Sequence, residues 1–117
     1  MISPGDIWSV DFGEPYPSEP AFTRPAVLLG PPMGFGERFP YRLVVPLTRT
    51  AHGLTWHIEI EPSPGNGLKS VSYAQAEALR SVASARLLRA LGAVDSAELL
   101  RIRAAVAQLL SFDARSA

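Results

Sequence analysis

Eleven prolines and nine glycines punctuate a chain of 117 residues, and this spacing limits what the chain can fold into. Proline fixes φ and donates no backbone N–H, while glycine weakens any regular element it interrupts, so frequent occurrences cut a chain into short pieces. Short strands joined by turns fit this better than a helical bundle. A hydrophobic fraction of 47% with 19% charged residues supplies a packed core and argues against global disorder. The length suits one core, so residues 1–117 read as a single domain, without internal repeat or low-complexity tract. There is no cysteine, which removes disulfides and thiolate metal sites and leaves packing to stabilise the fold. The N-terminus lacks a basic segment followed by an apolar run, and no stretch of about 18 apolar residues occurs. The expectation is a soluble, unexported, cytoplasmic protein that does not enter a membrane.

Local patterns place the elements. In residues 6–12, Trp8, Val10 and Phe12 alternate with Ile7, Ser9 and Asp11, the pattern of a half-buried strand. Residues 13–23 hold three prolines and no sustained period, which predicts a long loop. Ala26–Leu29 is a short apolar run ending at Gly30-Pro31-Pro32, so Arg24 falls at a loop-to-strand junction. Tyr41–Leu47 reads as a third strand with Pro46 at an edge or near its end, and Thr48 at its exit. Thr55–Glu61 alternates as a fourth strand, with His57 on the polar side. Ser70–Val82 is read as a fifth strand despite the helix propensity of Ala-Gln-Ala-Glu-Ala-Leu-Arg, because its neighbours are strands. A helical turn over Ser84–Ala90 and a short strand near Leu91–Val94 follow. Asp95 suits an N-cap with Glu98 completing a capping box, and Leu99, Ile102, Val106 and Leu109 or Leu110 give one apolar helix face. The fold class is mainly β with a C-terminal helix.

Net charge is zero, so no global basic surface advertises nucleic acid. The distribution says more. Residues 1–37 carry five acids and Arg24 as their one cation, whereas the remainder holds ten basic residues against six acids. Ten of the eleven cations are arginines, the residue type suited to planar, bidentate phosphate contacts. Arg24 is thus open to two readings, a phosphate ligand or a surface salt bridge to the acids around it. Thr48 can be a phosphate donor or a β-branched strand residue.

The ordered set Gly5-Asp6-Ile7-Trp8, Ser18-Glu19, Arg24-Pro25-Ala26-Val27, Val44-Val45-Pro46-Leu47-Thr48, Arg80-Ser81-Val82 and the helix entry from Gly92 to Leu99 resembles the MazF/PemK toxin family from end to end. The resemblance implies an SH3-like β-barrel of the MazF/CcdB type with a C-terminal helix, usually a homodimer. It further implies a toxin of a type II toxin–antitoxin system, an endoribonuclease that cuts single-stranded RNA and is restrained by a cognate MazE-like antitoxin. Carried over residue by residue, it makes Arg24 and Thr48 the catalytic pair, with Glu19 shaping the site and accepting a proton. Two positions depart from the family: Pro20 and Ala78 stand where glutamine is common, which bears on RNA sequence preference.

The chemistry suits these residues. RNA cleavage without metal or cofactor uses the 2′-OH as nucleophile, and the protein must align it and stabilise charge on the phosphoryl group. Arg24 can hold two non-bridging oxygens but is a poor general base; Thr48 can donate a hydroxyl; Glu19 is the matched carboxylate able to accept the 2′-OH proton. Ser18, Arg49 and Arg80 are expected to bind RNA. His52 and His57 are of the type that serves acid–base catalysis near neutral pH, yet neither falls in a matched motif, and solvated or structural roles are expected. With two histidines, no cysteine and no close acidic cluster, no metal site is expected. Trp8 reads as core; Trp56 is open to base stacking, core packing or a dimer contact. Arg86, Arg89, Arg101 and Arg103 are expected on a solvent-facing surface. A CcdB-like toxin that grips DNA gyrase without catalysis is the competing function, and an inactive interaction module a third.

Overall fold

The computed structural model describes residues 2–14, 16–17, 19–20, 22–36 and 38–111. Ser18 lies outside them. Among the described residues seven strands, β1 (Asp6–Asp11), β2 (Thr23–Gly30), β3 (Tyr41–Thr48), β4 (His57–Ile60), β5 (Ser72–Gln75), β6 (Arg80–Ala83) and β7 (Leu87–Ala93), precede one α-helix, α1 (Ser96–Leu109). All strand pairings are antiparallel, in the order β4-β5-β3-β2-β1-β7, with β6 paired to β3 off this path. Among the described residues no pairing joins β4 to β7, so the sheet is open and not the closed barrel expected from the sequence.

The apolar runs in β2 and β3 have a simple cause: these central strands are covered on both faces, which removes the need for alternation. Val27, Val45 and Leu47 point into a cluster with Ile7, Ile60 and Ile102, under α1. Ala26, Leu28 and Val44 point the other way and pack with Val10, Phe12 and Val82. Ile7, expected on the polar side of the first strand, is fully buried because α1 and its cluster cover that face. Trp8 packs against the second cluster as expected, and Trp56, half-buried, packs against the first.

The predicted fifth strand is two strands. A single 3-10 turn at Ala76–Ala78 breaks the segment, so that β5 pairs with Leu47 and Thr48 while β6 pairs with Tyr41–Val44 on the same edge of β3. Pro46 sits in the interval between those two partners and is opposed there only by Ala26 of β2. Its missing N–H therefore interrupts no ladder on the β5/β6 side, which is how an internal strand tolerates it. Likewise the helical turn expected over Ser84–Ala90 shrinks to a 3-10 turn at Ser84–Arg86, and β7 begins at Leu87, earlier than predicted.

Helix α1 starts as its sequence dictates. The Asp95 Oδ1 accepts from the Glu98 N–H at 2.7 Å, and the Glu98 Oε1 accepts from the Asp95 N–H at 2.9 Å. Ile102, Ala105 and Val106 form the buried face, whereas Leu109 and Leu110 are exposed, because the helix ends beyond the reach of the sheet. Removing the cap with Asp95→Ala frees the Glu98 N–H at an exposed helix end and is expected to lower stability by about 1 kcal/mol, read as a shift in denaturant midpoint.

Candidate active site

The register of β2 on β3 brings the site together. Ala26 opposes Pro46 and Val27 opposes Val45. Continued two residues further, that register sets Arg24 opposite Thr48 on the sheet face of Ala26, Val44 and Leu28, away from α1. The second apolar cluster thus ends in a polar pair at the rim of the sheet. Both side chains are half-buried. The Thr48 Oγ1 accepts from the Thr50 N–H at 3.2 Å, which occupies an oxygen lone pair and leaves the hydroxyl proton to donate outward. Arg24 makes no side-chain hydrogen bond or ion pair among the described residues, so the alternative of a surface salt bridge to neighbouring acids is not what the structure shows.

Two grooves meet at this pair. The first, about 700 Å³, is lined by Glu19, Arg24, Thr48, His52, His57, Glu77 and Arg80. The second, about 610 Å³, is lined by Phe22, Arg24, Thr48, Arg49, Lys69 and Arg89. Of the residues singled out in the sequence, Glu19, Arg24, Thr48 and Arg80 share the first groove, while Arg49 lies in the second.

Glu19 is exposed at the end of the loop between β1 and β2, held by a turn in which its N–H donates to the Tyr16 carbonyl at 2.9 Å. Its carboxylate has no hydrogen-bond partner among the described residues and is free to accept a proton. Arg80, by contrast, lays its guanidinium over the Phe12 ring at 5.5 Å, a cation–π contact that fixes it against the second apolar cluster at the groove wall.

His57 is the residue whose surroundings differ most from expectation. Its side chain is 3% exposed, and Nε2 lies 2.9 and 2.8 Å from the two Glu77 oxygens. The cause is topological: β4 pairs with β5 so that His57 opposes Gln75, and the turn after Gln75 carries Glu77 back over the ring. His52 meets the same ring edge-on at 5.6 Å. His57 is therefore buried and hydrogen-bonded to Glu77 at the groove wall, rather than placed on a polar strand face. The His57 Nδ1 and Gln75 Oε1 are buried with no partner among the described residues, which leaves hydrogen-bonding capacity beside the groove.

Phe22, Glu77, Lys69 and Arg89 were not singled out by sequence as members of the site. Glu77 is 20 residues from His57, and strand pairing alone joins them. Arg89, expected merely at the surface, is exposed on β7 but faces the second groove, whereas Arg86 is tied to β1 through the Asp11 carbonyl at 3.1 Å and carboxylate at 3.9 Å. Among the described residues no three histidine, aspartate or glutamate side chains converge as metal ligands.

Residues 3–110 match the profile of the PemK-like, MazF-like toxins of type II toxin–antitoxin systems. Endoribonuclease MazF9 of Mycobacterium tuberculosis is 33% identical over 108 residues, spanning 87% of this chain and 90% of its own length. Among solved structures, MazF from Deinococcus radiodurans superposes with a TM-score of 0.80 at 21% identity, covering 94% of this chain and 96% of that one. An endoribonuclease from a mycobacterial species, solved with its cognate antitoxin, superposes with a TM-score of 0.78 at 19% identity, covering 97% of this chain and 98% of its own.

Proposed function

This chain belongs to the PemK-like, MazF-like toxin family of type II toxin–antitoxin systems, and from that premise we propose that it is an endoribonuclease cutting single-stranded RNA at the Arg24–Thr48 pair. The observation that carries the placement is a half-buried arginine without a protein partner among the described residues, beside an outward-donating hydroxyl, where two grooves meet. Arg24 grips the non-bridging oxygens of the scissile phosphate, and its contact strengthens as negative charge grows there. Thr48 donates to a phosphate oxygen and fixes its orientation. Glu19 takes the 2′-OH proton; the 2′-oxygen forms a bond to phosphorus as the bond to the 5′-oxygen breaks, and the leaving oxygen takes up a proton. No metal or cofactor enters these steps.

The MazF relatives lend no support to a CcdB-like gyrase binder, and a free Arg24 beside a free carboxylate argues against an inactive interaction module. A mycobacterial neighbour is solved with its cognate antitoxin, and Deinococcus radiodurans MazF is solved with MazE. A MazE-like antitoxin is the corresponding partner here. The same reading makes the chain a homodimer of single-domain protomers in the cytoplasm, its open sheet a variant of the SH3-like barrel; no helix among the described residues is long and apolar enough to cross a membrane.

The internal nucleophile dictates the products. Digestion of single-stranded RNA in excess chelator is expected to leave 2′,3′-cyclic phosphate and 5′-OH ends, identified by mass spectrometry of the fragments. Fragments with 3′-OH ends, or cleavage that stops in chelator, would overturn the mechanism.

A further inference from the structure

The two grooves that meet at Arg24 and Thr48 differ in chemistry, and the difference gives a bound strand a direction. The first contains the carboxylates Glu19 and Glu77. The second presents Arg49, Lys69 and Arg89, all exposed, and no acidic residue among its described lining. None of these three cations has a side-chain hydrogen bond or ion pair among the described residues. Phe22 stands with them, 65% exposed, at φ 57°, a left-handed conformation that a bulky residue rarely adopts. The backbone bonds from the Phe12 N–H to the Phe22 carbonyl and from the Phe22 N–H to the Gly13 carbonyl hold this conformation, and strain so held clusters at ligand-binding sites. Unpaired cations interleaved with an exposed ring are the combination that tracks a single strand, phosphates on the charges and a base on the ring.

The direction follows from the reaction. The attacking 2′-OH belongs to the nucleotide on the 5′ side of the scissile phosphate, and its proton goes to a carboxylate. Among the described lining residues, only the first groove has carboxylates. The 5′ nucleotide therefore faces the first groove, and the leaving 5′-oxygen continues into the second. We infer that the groove of Phe22, Arg49, Lys69 and Arg89 holds the RNA on the 3′ side of the cut. This rests on the endoribonuclease function proposed above and adds to it the polarity of the bound strand.

The test uses the wild-type protein to map a cut site on a long single-stranded RNA, then three oligonucleotides around that site: full length, shortened to one nucleotide on the 3′ side, and shortened to one nucleotide on the 5′ side. For the double variant Lys69→Glu, Arg89→Glu, KM on the full oligonucleotide is expected to rise about tenfold or more with kcat little changed, and the salt dependence of log KM to become shallower by about 1.4 for two lost phosphate contacts on a single strand. The KM ratio between variant and wild type should collapse on the 3′-shortened oligonucleotide and persist on the 5′-shortened one. The charge-keeping pair Lys69→Arg, Arg89→Lys should restore most of the affinity, which a misfolded groove would not do. Phe22→Ala should raise KM without altering the salt slope. A penalty that persists on the 3′-shortened oligonucleotide and vanishes on the 5′-shortened one would reverse the direction and overturn the inference. An unchanged KM would also overturn it, including the case in which the charge reversal instead weakens binding of an acidic antitoxin segment. Wild-type protein that leaves all RNA intact would fail the endoribonuclease reading itself, and the inference with it.

Discussion

Arg24→Ala is expected to lower the single-turnover cleavage rate by about 10³-fold, with a smaller change in KM. The asymmetry follows from where the charge appears. In the ground state the phosphodiester carries one negative charge that long-range contacts from other cations can balance; in the transition state further charge develops on the oxygens that Arg24 alone is set to grip from both grooves. A half-buried position strengthens that interaction relative to water, and the absence of a competing ion pair among the described residues leaves the guanidinium donors available to the phosphate. Arg24→Lys keeps the charge but loses the planar fork, so it should recover only part of the rate. Thr48→Val keeps the strand-compatible shape and removes the hydroxyl; its loss should be nearer 10-fold to 10²-fold, because one neutral donor is removed rather than a charge. The measurement is cleavage of a defined oligonucleotide in chelator, with circular dichroism to establish that each variant is folded. Equal cutting by wild type and Arg24→Ala would mean the catalytic centre lies elsewhere.

Much of this arrangement was legible in the sequence for a specific physical reason: short-range patterns reported short-range structure. The capping box at Asp95 and Glu98, the loop-to-strand junction at Arg24 and the strand exit at Thr48 depend on residues within a few positions of each other, and the structure contains all three. The failures have a common cause in long-range pairing. Ser70–Val82 could not be divided from its own pattern, because the break at Ala76–Ala78 is set by β3, which accepts β5 and β6 at its two halves. Ile7 appeared to lie among polar residues, and only the return of α1 onto that face buries it. Alternation places His57 on a polar strand face, and Arg89 is expected on a solvent-facing surface; which surface, and beside which groove, depends on strands 18 or more residues away in sequence. Family resemblance supplied Arg24, Thr48 and Glu19, yet not Lys69 and Arg89 of the second groove, which belong to no matched motif.

Gly67→Ala is expected to destabilise the fold by about 3 kcal/mol or more, although the substitution adds one methyl group to an exposed turn. Two effects add. Gly67 has φ +70°, in the left-handed region where a Cβ costs about 1 kcal/mol or more. The added Cβ would also collide with the Leu91 carbonyl oxygen and lie 2.8 Å from its carbon, both backbone atoms of β7 that cannot rotate away. The approach is reciprocal, since a Cβ on Gly92 would meet the Gly65 carbonyl oxygen at 2.5 Å. Asn66 fixes the turn between them: buried at 1% exposure, its Oδ1 accepts from the Ser63 and Leu68 N–H groups, both at 3.0 Å, and its Nδ2 donates to the Glu61 carbonyl at 2.8 Å. The Ala93 N–H then donates to the Gly65 carbonyl at 3.0 Å, locking the turn onto β7. A turn so constrained cannot yield by the ångström that a methyl group would require, and the loss should appear as a Tm lower by about 10 °C or more in a thermal melt. Gly65→Ala is the control, two residues away in the same turn, where a Cβ meets nothing within 4 Å; its Tm should stay close to that of the wild type. Equal melting of the two variants would show that the turn and β7 are not in rigid contact. Because Gly67 and Leu91 both line the groove that holds Lys69 and Arg89, Gly67→Ala should also raise KM for long RNA at temperatures where the protein is still folded.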